Sequence, residues 1–290
     1  MNRRALILAA MAALLLNACT TSRTFVSDRI SVETRGAGSD IILIPGLTGD
    51  REGWAEVAGV LDDRYRLHLV QVNGFAGVPS GGNAGGTVSA PVAEEIARYI
   101  REANLQRPAV IGHSMGGTIG MMLASRHPDH VGRVMVIDMV PFMGEMFGPD
   151  AATPEGLRKI ADQSRANILS TPLDQGFMAQ MFSTMTLRPE MQSGLMSDLR
   201  ASDPQTVANA FHELLVTDLR PELSRIGVPV TVLYVVPPNA GMTAEQYDAS
   251  MKKLYGNLAG ARLVRIDNSR HFIHWDQPRR VIAEIDAMMK

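Results

Sequence analysis

Short apolar runs alternating with longer stretches of helical spacing confine this chain to folds built on a mostly parallel sheet. The runs, rich in β-branched residues and bounded by Gly or Pro, occupy residues 41–44, 67–72, 109–111, 134–137, 230–236 and 262–266. They read as buried strands. Residues 52–61, 91–103, 115–126, 204–217, 243–255 and 278–289 read as helices, and Thr243 with Gln246 three residues on forms a capping-box signal for the fifth of these. Parallel strands need crossover connections, so such an order predicts helices on both faces of the sheet. A stretch from Thr24 to Thr34 suits one or two short edge strands.

The alternation stops at residues 141–203, which hold no strand pattern and are rich in Met, Pro, Ser and Asp. A small inserted helical lid is expected there. Its methionines (Met143, Met146, Met178, Met181, Met185, Met191 and Met196) and Phe142, Phe147, Phe177 and Phe182 suit an adaptable apolar pocket or the packing of the lid onto the sheet. Charge narrows the partners: 28 Lys and Arg stand against 30 Asp and Glu, and removal of a leader carrying Arg3 and Arg4 leaves 26 against 30. Such a chain offers no basic surface for nucleic acid.

The first residues have the layout of a signal peptide, with Arg3 and Arg4 ahead of an apolar run from Ala5 to Leu16. That run is shorter than the ~20 residues that span a bilayer. Leu16-Asn17-Ala18-Cys19 resembles a bacterial lipobox, and Cys19 is the single cysteine of the chain, which no internal disulfide can use. The expected organisation is a leader over residues 1–18, a tether and edge-strand region over 19–38, and one domain over 39–290. Lipidation at Cys19 would hold the exported protein to a membrane in the periplasm or at the outer membrane.

The strongest chemical signal is Gly112-His113-Ser114-Met115-Gly116-Gly117, placed where a strand ends and a helix begins. Glycines on either side allow a turn too tight for side chains, which presents the Ser114 hydroxyl above the sheet, and the helix N-terminus brings unpaired N–H groups to a developing oxyanion. With this elbow in place, residues 40–290 resemble the α/β-hydrolase superfamily, whose fold is an eight-stranded type of mostly parallel sheet with helices on both faces. Ile44-Pro45-Gly46-Leu47-Thr48-Gly49 resembles that family's oxyanion loop, and the implied donors are the backbone N–H groups of Leu47 and Met115. Trp54 and Asn73-Gly-Phe75-Ala-Gly77 match habitual positions, with Trp54 and Phe75 expected to pack at the border of the pocket.

Residues 267–278 resemble the family's histidine loop and make His271 the implied general base; His274 is expected to face the lid or solvent, and His113 to be structural. The acid departs from the pattern. Asn239 occupies the usual region after residues 230–236, where an amide cannot stabilise an imidazolium, which leaves Asp138 at the end of the preceding strand, or Asp248 or Glu245, to supply the carboxylate. The resemblance implies an acyl-enzyme hydrolase of a small or medium apolar ester, with amide, lactone, thioester and carbon–carbon bonds as other substrates. A binding lipoprotein with impaired catalysis is the alternative. His68, His127, His130 and His212 lack metal-ligand spacing, no metal or cofactor is called for, and Gly81 to Gly86 read as a flexible loop near the pocket instead of a phosphate cradle.

Overall fold

Seven strands form one sheet in the order β1-β3-β2-β4-β5-β6-β7 in a computed structural model that describes residues 25–148, 151, 153–238 and 240–290. The leader, Cys19 and Asn239 lie outside the described residues. The strands are β1 (Ile30–Arg35), β2 (Ser39–Ile44), β3 (Tyr65–Val72), β4 (Ala109–His113), β5 (Arg133–Ile137), β6 (Val230–Tyr234) and β7 (Arg262–Arg265). From β3 to β7 every neighbouring pair is parallel, and β1 runs antiparallel along β3, with Val32 opposite Val70.

The described residues thus hold seven strands where the resemblance implied an eight-stranded type. The backbone just before β1 is occupied elsewhere: the Asp28 carbonyl accepts from Gly82 N at 2.9 Å, and the Arg29 carbonyl from Asn73 N at 2.9 Å. That contact also corrects the expectation for the glycine stretch. Gly81–Asn83 is a 3-10 turn seated against Asp28, at a left-handed φ of 51° where a Cβ on Gly81 would strike the Asp28 carbonyl, and it does not line the cavity at the strand ends.

The period-two alternation of the strands divides the core into two layers. In β2, Ile41 and Leu43 face one layer with Trp54, Val57 and Leu61, while Ile42 and Ile44 face the other with Val92, Ile96 and Ile119. The first layer is closed by α1 (Ala55–Leu61) and the carboxy-terminal helix, the second by α2 (Ser89–Glu102) and α3 (Met115–Arg126).

Between β5 and β6 the chain leaves the sheet and forms α4 (Pro154–Ser170), α5 (Gly176–Phe182), α6 (Pro189–Ala201) and α7 (Pro204–Val216). Pro at the first turn and an N-cap side chain set two of the starts: Thr153 accepts from Gly156 N at 3.1 Å and Asp203 from Thr206 N at 2.7 Å. Helix α7 is also fastened to the body of the fold. Its buried Glu213 carboxylate accepts from Val88, Ser89 and Ala90 N at 2.7, 2.6 and 3.0 Å, satisfying the orphan amides that open α2. After β6 come α8 (Ala244–Leu254), with the Thr243–Gln246 capping box formed, the one-turn α9 (Ile273–Asp276) and α10 (Pro278–Met289).

Candidate active site

The carboxyl ends of β4, β5 and β6 open onto a cavity of about 310 Å³. In an open parallel sheet this rim is where helix N-termini and strand-end residues converge. Ser114 stands there between β4 and α3 at φ 53° and ψ −120°, a conformation costing a non-glycine residue about 1–3 kcal/mol. The surrounding glycines make it possible. A Cβ on Gly112 would collide with the Gly116 backbone, one on Gly116 would lie 2.8 Å from the Pro45 carbonyl, and one on Gly46 would lie 3.1 Å from Ser114 Cβ. Loop 45–49 can therefore lie directly against the elbow.

Leu47 borders the cavity and Met115 is the first, fully buried residue of α3. As a first-turn amide, the Met115 N–H has no acceptor within its own helix. The two backbone groups implied as oxyanion donors thus belong to the loop and helix start that flank Ser114.

His271 lies on the same cavity, and its Nδ1 is 2.7 Å from Asp138 Oδ2. Asp138 follows β5 at a left-handed φ of 50°; its backbone N–H donates to the Leu233 carbonyl at 2.7 Å, and its Oδ1 accepts from Val235 N at 3.1 Å. Both carboxylate oxygens are thereby engaged by donors, which fixes the carboxylate plane and places the His271 proton on Nδ1 if the ring is neutral. The other candidate acids are elsewhere. Asp248 accepts from Tyr234 Oη and Arg265 Nη1, each at 2.8 Å, and Glu245 is exposed in the first turn of α8.

Two further histidine positions are settled by packing. His113 Nε2 is 3.0 Å from the His271 carbonyl, so it carries the proton and donates; burial and then the neighbouring His271 and His274 rings hold His113 well below the usual imidazole range. His274 was expected to face the lid or solvent. It is buried instead, with its ring stacked on Trp54 at 4.5 Å, because the short helix α9 turns it inward; burial first, then His271, pulls its pKa down to about 3. Trp54 and Phe75 are fully buried packing residues and do not line the cavity.

The walls come partly from the insertion, through Met143, Met146, Met181, Phe182 and Met185. Met178, Met191 and Met196 belong to or pack against the core, Phe142 lies under the Arg220 guanidinium, Phe147 packs on the core, and Phe177 is exposed at 41%. Phe211, Leu214, Tyr234, Tyr247, Met251 and Phe272 also line it; the sequence marked the first five only as strand-end and amphipathic-helix positions and Phe272 only as part of the histidine loop. Burial, followed for Tyr234 by its bond to Asp248, pushes both tyrosines up to about 12, so their hydroxyls stay protonated.

The insertion is also tied to the histidine loop. Phe272 N donates to the Met185 carbonyl at 3.0 Å, and Asp276 accepts from Thr186 Oγ1 and Leu187 N at 2.7 and 2.9 Å and from Arg270 N at 2.7 Å. Among the described residues, no group of three His, Cys, Asp or Glu is arranged to hold a metal.

Comparison with known proteins places this geometry in a family: the model described as alpha/beta hydrolase fold matches residues 41–278. The chain belongs to the alpha/beta hydrolase fold family. Within it, the chain is similar to the pimeloyl-(acyl-carrier protein) methyl ester esterase of Vibrio cholerae, at 25% identity over 204 residues, 70% of this chain and 77% of that one. It is also similar to the enzyme of the same name from Aeromonas hydrophila, at 26% over 261 residues, 89% and 98% of the two chains. A solved hydrolase from Pseudomonas aeruginosa shares the alpha/beta hydrolase fold with a TM-score of 0.74 at 20% identity, covering 90% of this chain and 94% of its own.

Proposed function

We propose that this alpha/beta hydrolase is a serine esterase in which Ser114 is the nucleophile, His271 the general base and Asp138 the acid that orients it. The 2.7 Å contact between His271 Nδ1 and Asp138 Oδ2, on the cavity that Ser114 faces, carries the assignment. Ser114 Oγ attacks the ester carbonyl carbon as His271 Nε2 takes its proton, and the carbonyl oxygen becomes an oxyanion held by the N–H groups of Leu47 and Met115. Collapse of that intermediate expels the alcohol, which receives the proton from His271 and leaves the acyl group on Ser114. Water, deprotonated by the same imidazole, then releases the acid.

The curated relatives carry the name of methyl ester esterases, which supports ester cleavage by this chain as well. An apolar lining of Met, Phe and Leu side chains suits a small or medium acyl group. The alternative of an impaired binding protein was motivated by the missing carboxylate at residue 239, and the seating of Asp138 on His271 argues against it. Attachment to a membrane through lipidated Cys19 remains part of the proposal; no helix among the described residues is long and apolar enough to cross a membrane.

Labelling with a fluorophosphonate and turnover of p-nitrophenyl esters of increasing length test the assignment. Ser114→Ala is expected to lose both while keeping its thermal unfolding transition. Labelling that persists at another serine refutes it.

A further inference from the structure

Among the described residues, the cavity has one arginine whose side chain has no bonded partner. Arg270 lines it, half-buried, immediately before His271. Among the described residues no acceptor is bonded to its guanidinium and no carboxylate forms an ion pair with it, although its own backbone N–H is held by Asp276 at 2.7 Å. Asp276 itself is occupied by Thr186, Leu187 and that backbone amide. Among the described residues the one acidic side chain lining the cavity, Asp138, is equally taken, by His271 and Val235.

Most arginines of the fold are paired. The described arginines whose side chains likewise have no bonded partner, Arg101, Arg158, Arg225 and Arg279, are all exposed, where water serves their donors. An arginine half withdrawn from water whose guanidinium is still unpaired is left with donors that a ligand oxyanion can satisfy, and its planar fork matches the two oxygens of a carboxylate.

We propose that Arg270 is a specificity-determining residue that binds a carboxylate carried by the substrate, so that the preferred ester is a half-ester of a dicarboxylic acid or another ester with a free acid group. This rests on the esterase reading of the same cavity. The apolar walls hold the carbon chain, Ser114 meets the ester end, and Arg270 takes the charged end. A single guanidinium balances the one charge of a carboxylate, whereas it would leave one charge of a phosphate dianion unmatched.

Equilibrium binding separates this proposal from the esterase assignment, since it needs no turnover. Monomethyl esters from succinate to suberate, each beside its neutral amide isostere, are titrated calorimetrically into the full chain carrying Ser114→Ala, alone and combined with Arg270→Gln or Arg270→Lys. The expected result is a preference for at least one anionic ester over its isostere by about tenfold or more, lost with Arg270→Gln and partly kept with Arg270→Lys. Binding in which no acid of the series is favoured over its amide, or in which Arg270→Gln leaves the preference intact, overturns the proposal even if neutral esters are hydrolysed. Arg270-dependent binding of the acids by a chain whose wild type cleaves no ester upholds the carboxylate site and removes the esterase assignment.

Discussion

Replacing Asp138 with Asn probes the site most sharply, because both carboxylate oxygens face donors: His271 Nδ1 at 2.7 Å and Val235 N at 3.1 Å. An Asn side chain has one oxygen and one NH₂ for the same two partners. If its oxygen keeps Val235 N–H, its NH₂ meets His271 Nδ1, which must then accept; the proton moves to Nε2, and the imidazole can no longer take one from Ser114. If the amide flips, His271 keeps the working tautomer, but the NH₂ is driven against the Val235 N–H. Leaving that buried donor unsatisfied costs ~1–3 kcal/mol, which alone limits the working arrangement by roughly 5- to 150-fold. The lost negative charge beside the imidazolium adds to this, so kcat is expected to fall by about 10² to 10⁴ with KM little changed. Steady-state turnover of p-nitrophenyl butyrate, with the active-site concentration fixed by fluorophosphonate titration, measures it. A variant within about threefold of wild-type kcat refutes the role given to Asp138.

The folded chain keeps His274 neutral down to about pH 3 against an ordinary value of 6.5, so between those limits the unfolded chain binds more protons and stability drops as pH falls. From pH 6.5 to 5 that group alone removes about 2 kcal/mol, and His274→Phe should flatten the fall in denaturation midpoint over that interval; an unchanged slope contradicts the buried neutral imidazole. Gly116→Ala places a methyl against the Ile44 and Pro45 carbonyls, backbone atoms that cannot move aside, and is expected to cost about 1–3 kcal/mol or more and to abolish fluorophosphonate labelling. Full labelling of a folded Gly116→Ala protein would falsify the tight-elbow geometry. Cys19→Ser is expected to release the protein from the membrane or to block its maturation, and mass spectrometry showing an unmodified terminus beyond Cys19 excludes lipidation.

Strand positions and the Ser114 elbow were legible because both are local: period-two apolar runs and glycines around a serine need no knowledge of distant chain. The proposed acid was narrowed to Asp138, Asp248 or Glu245 and no further, since Asp138 and His271 are 133 residues apart and meet only once β5 lies beside β6 and Asp138 adopts a left-handed φ. At the level of residues, Ile-Asp at a strand end looks the same whether or not a histidine reaches it. His274 was misplaced for a related reason. Its direction is set by a single helical turn, too short for its periodicity to show, and by Trp54, which offers a ring to stack on from a remote segment. Phe211 and Leu214 sit on the buried stripe of α7, where a pocket wall and a packing face have the same apolar spacing.

The hydrogen bonds joining residues 185–187 to Phe272 and Asp276 couple two parts of the molecule that are easily imagined as independent. The wall carrying Met181, Phe182 and Met185 cannot swing away from the sheet without pulling on the segment that carries His271, so access and proton transfer are mechanically in series on that side. The opposite wall, from Met143 and the 56% exposed Met146 across to Pro237 and Pro238, makes no such hydrogen bond to the histidine loop among the described residues. Changes of side-chain size there can reshape what enters while the imidazole keeps its register, which makes that wall the natural place for substrate range to drift among relatives of this chain.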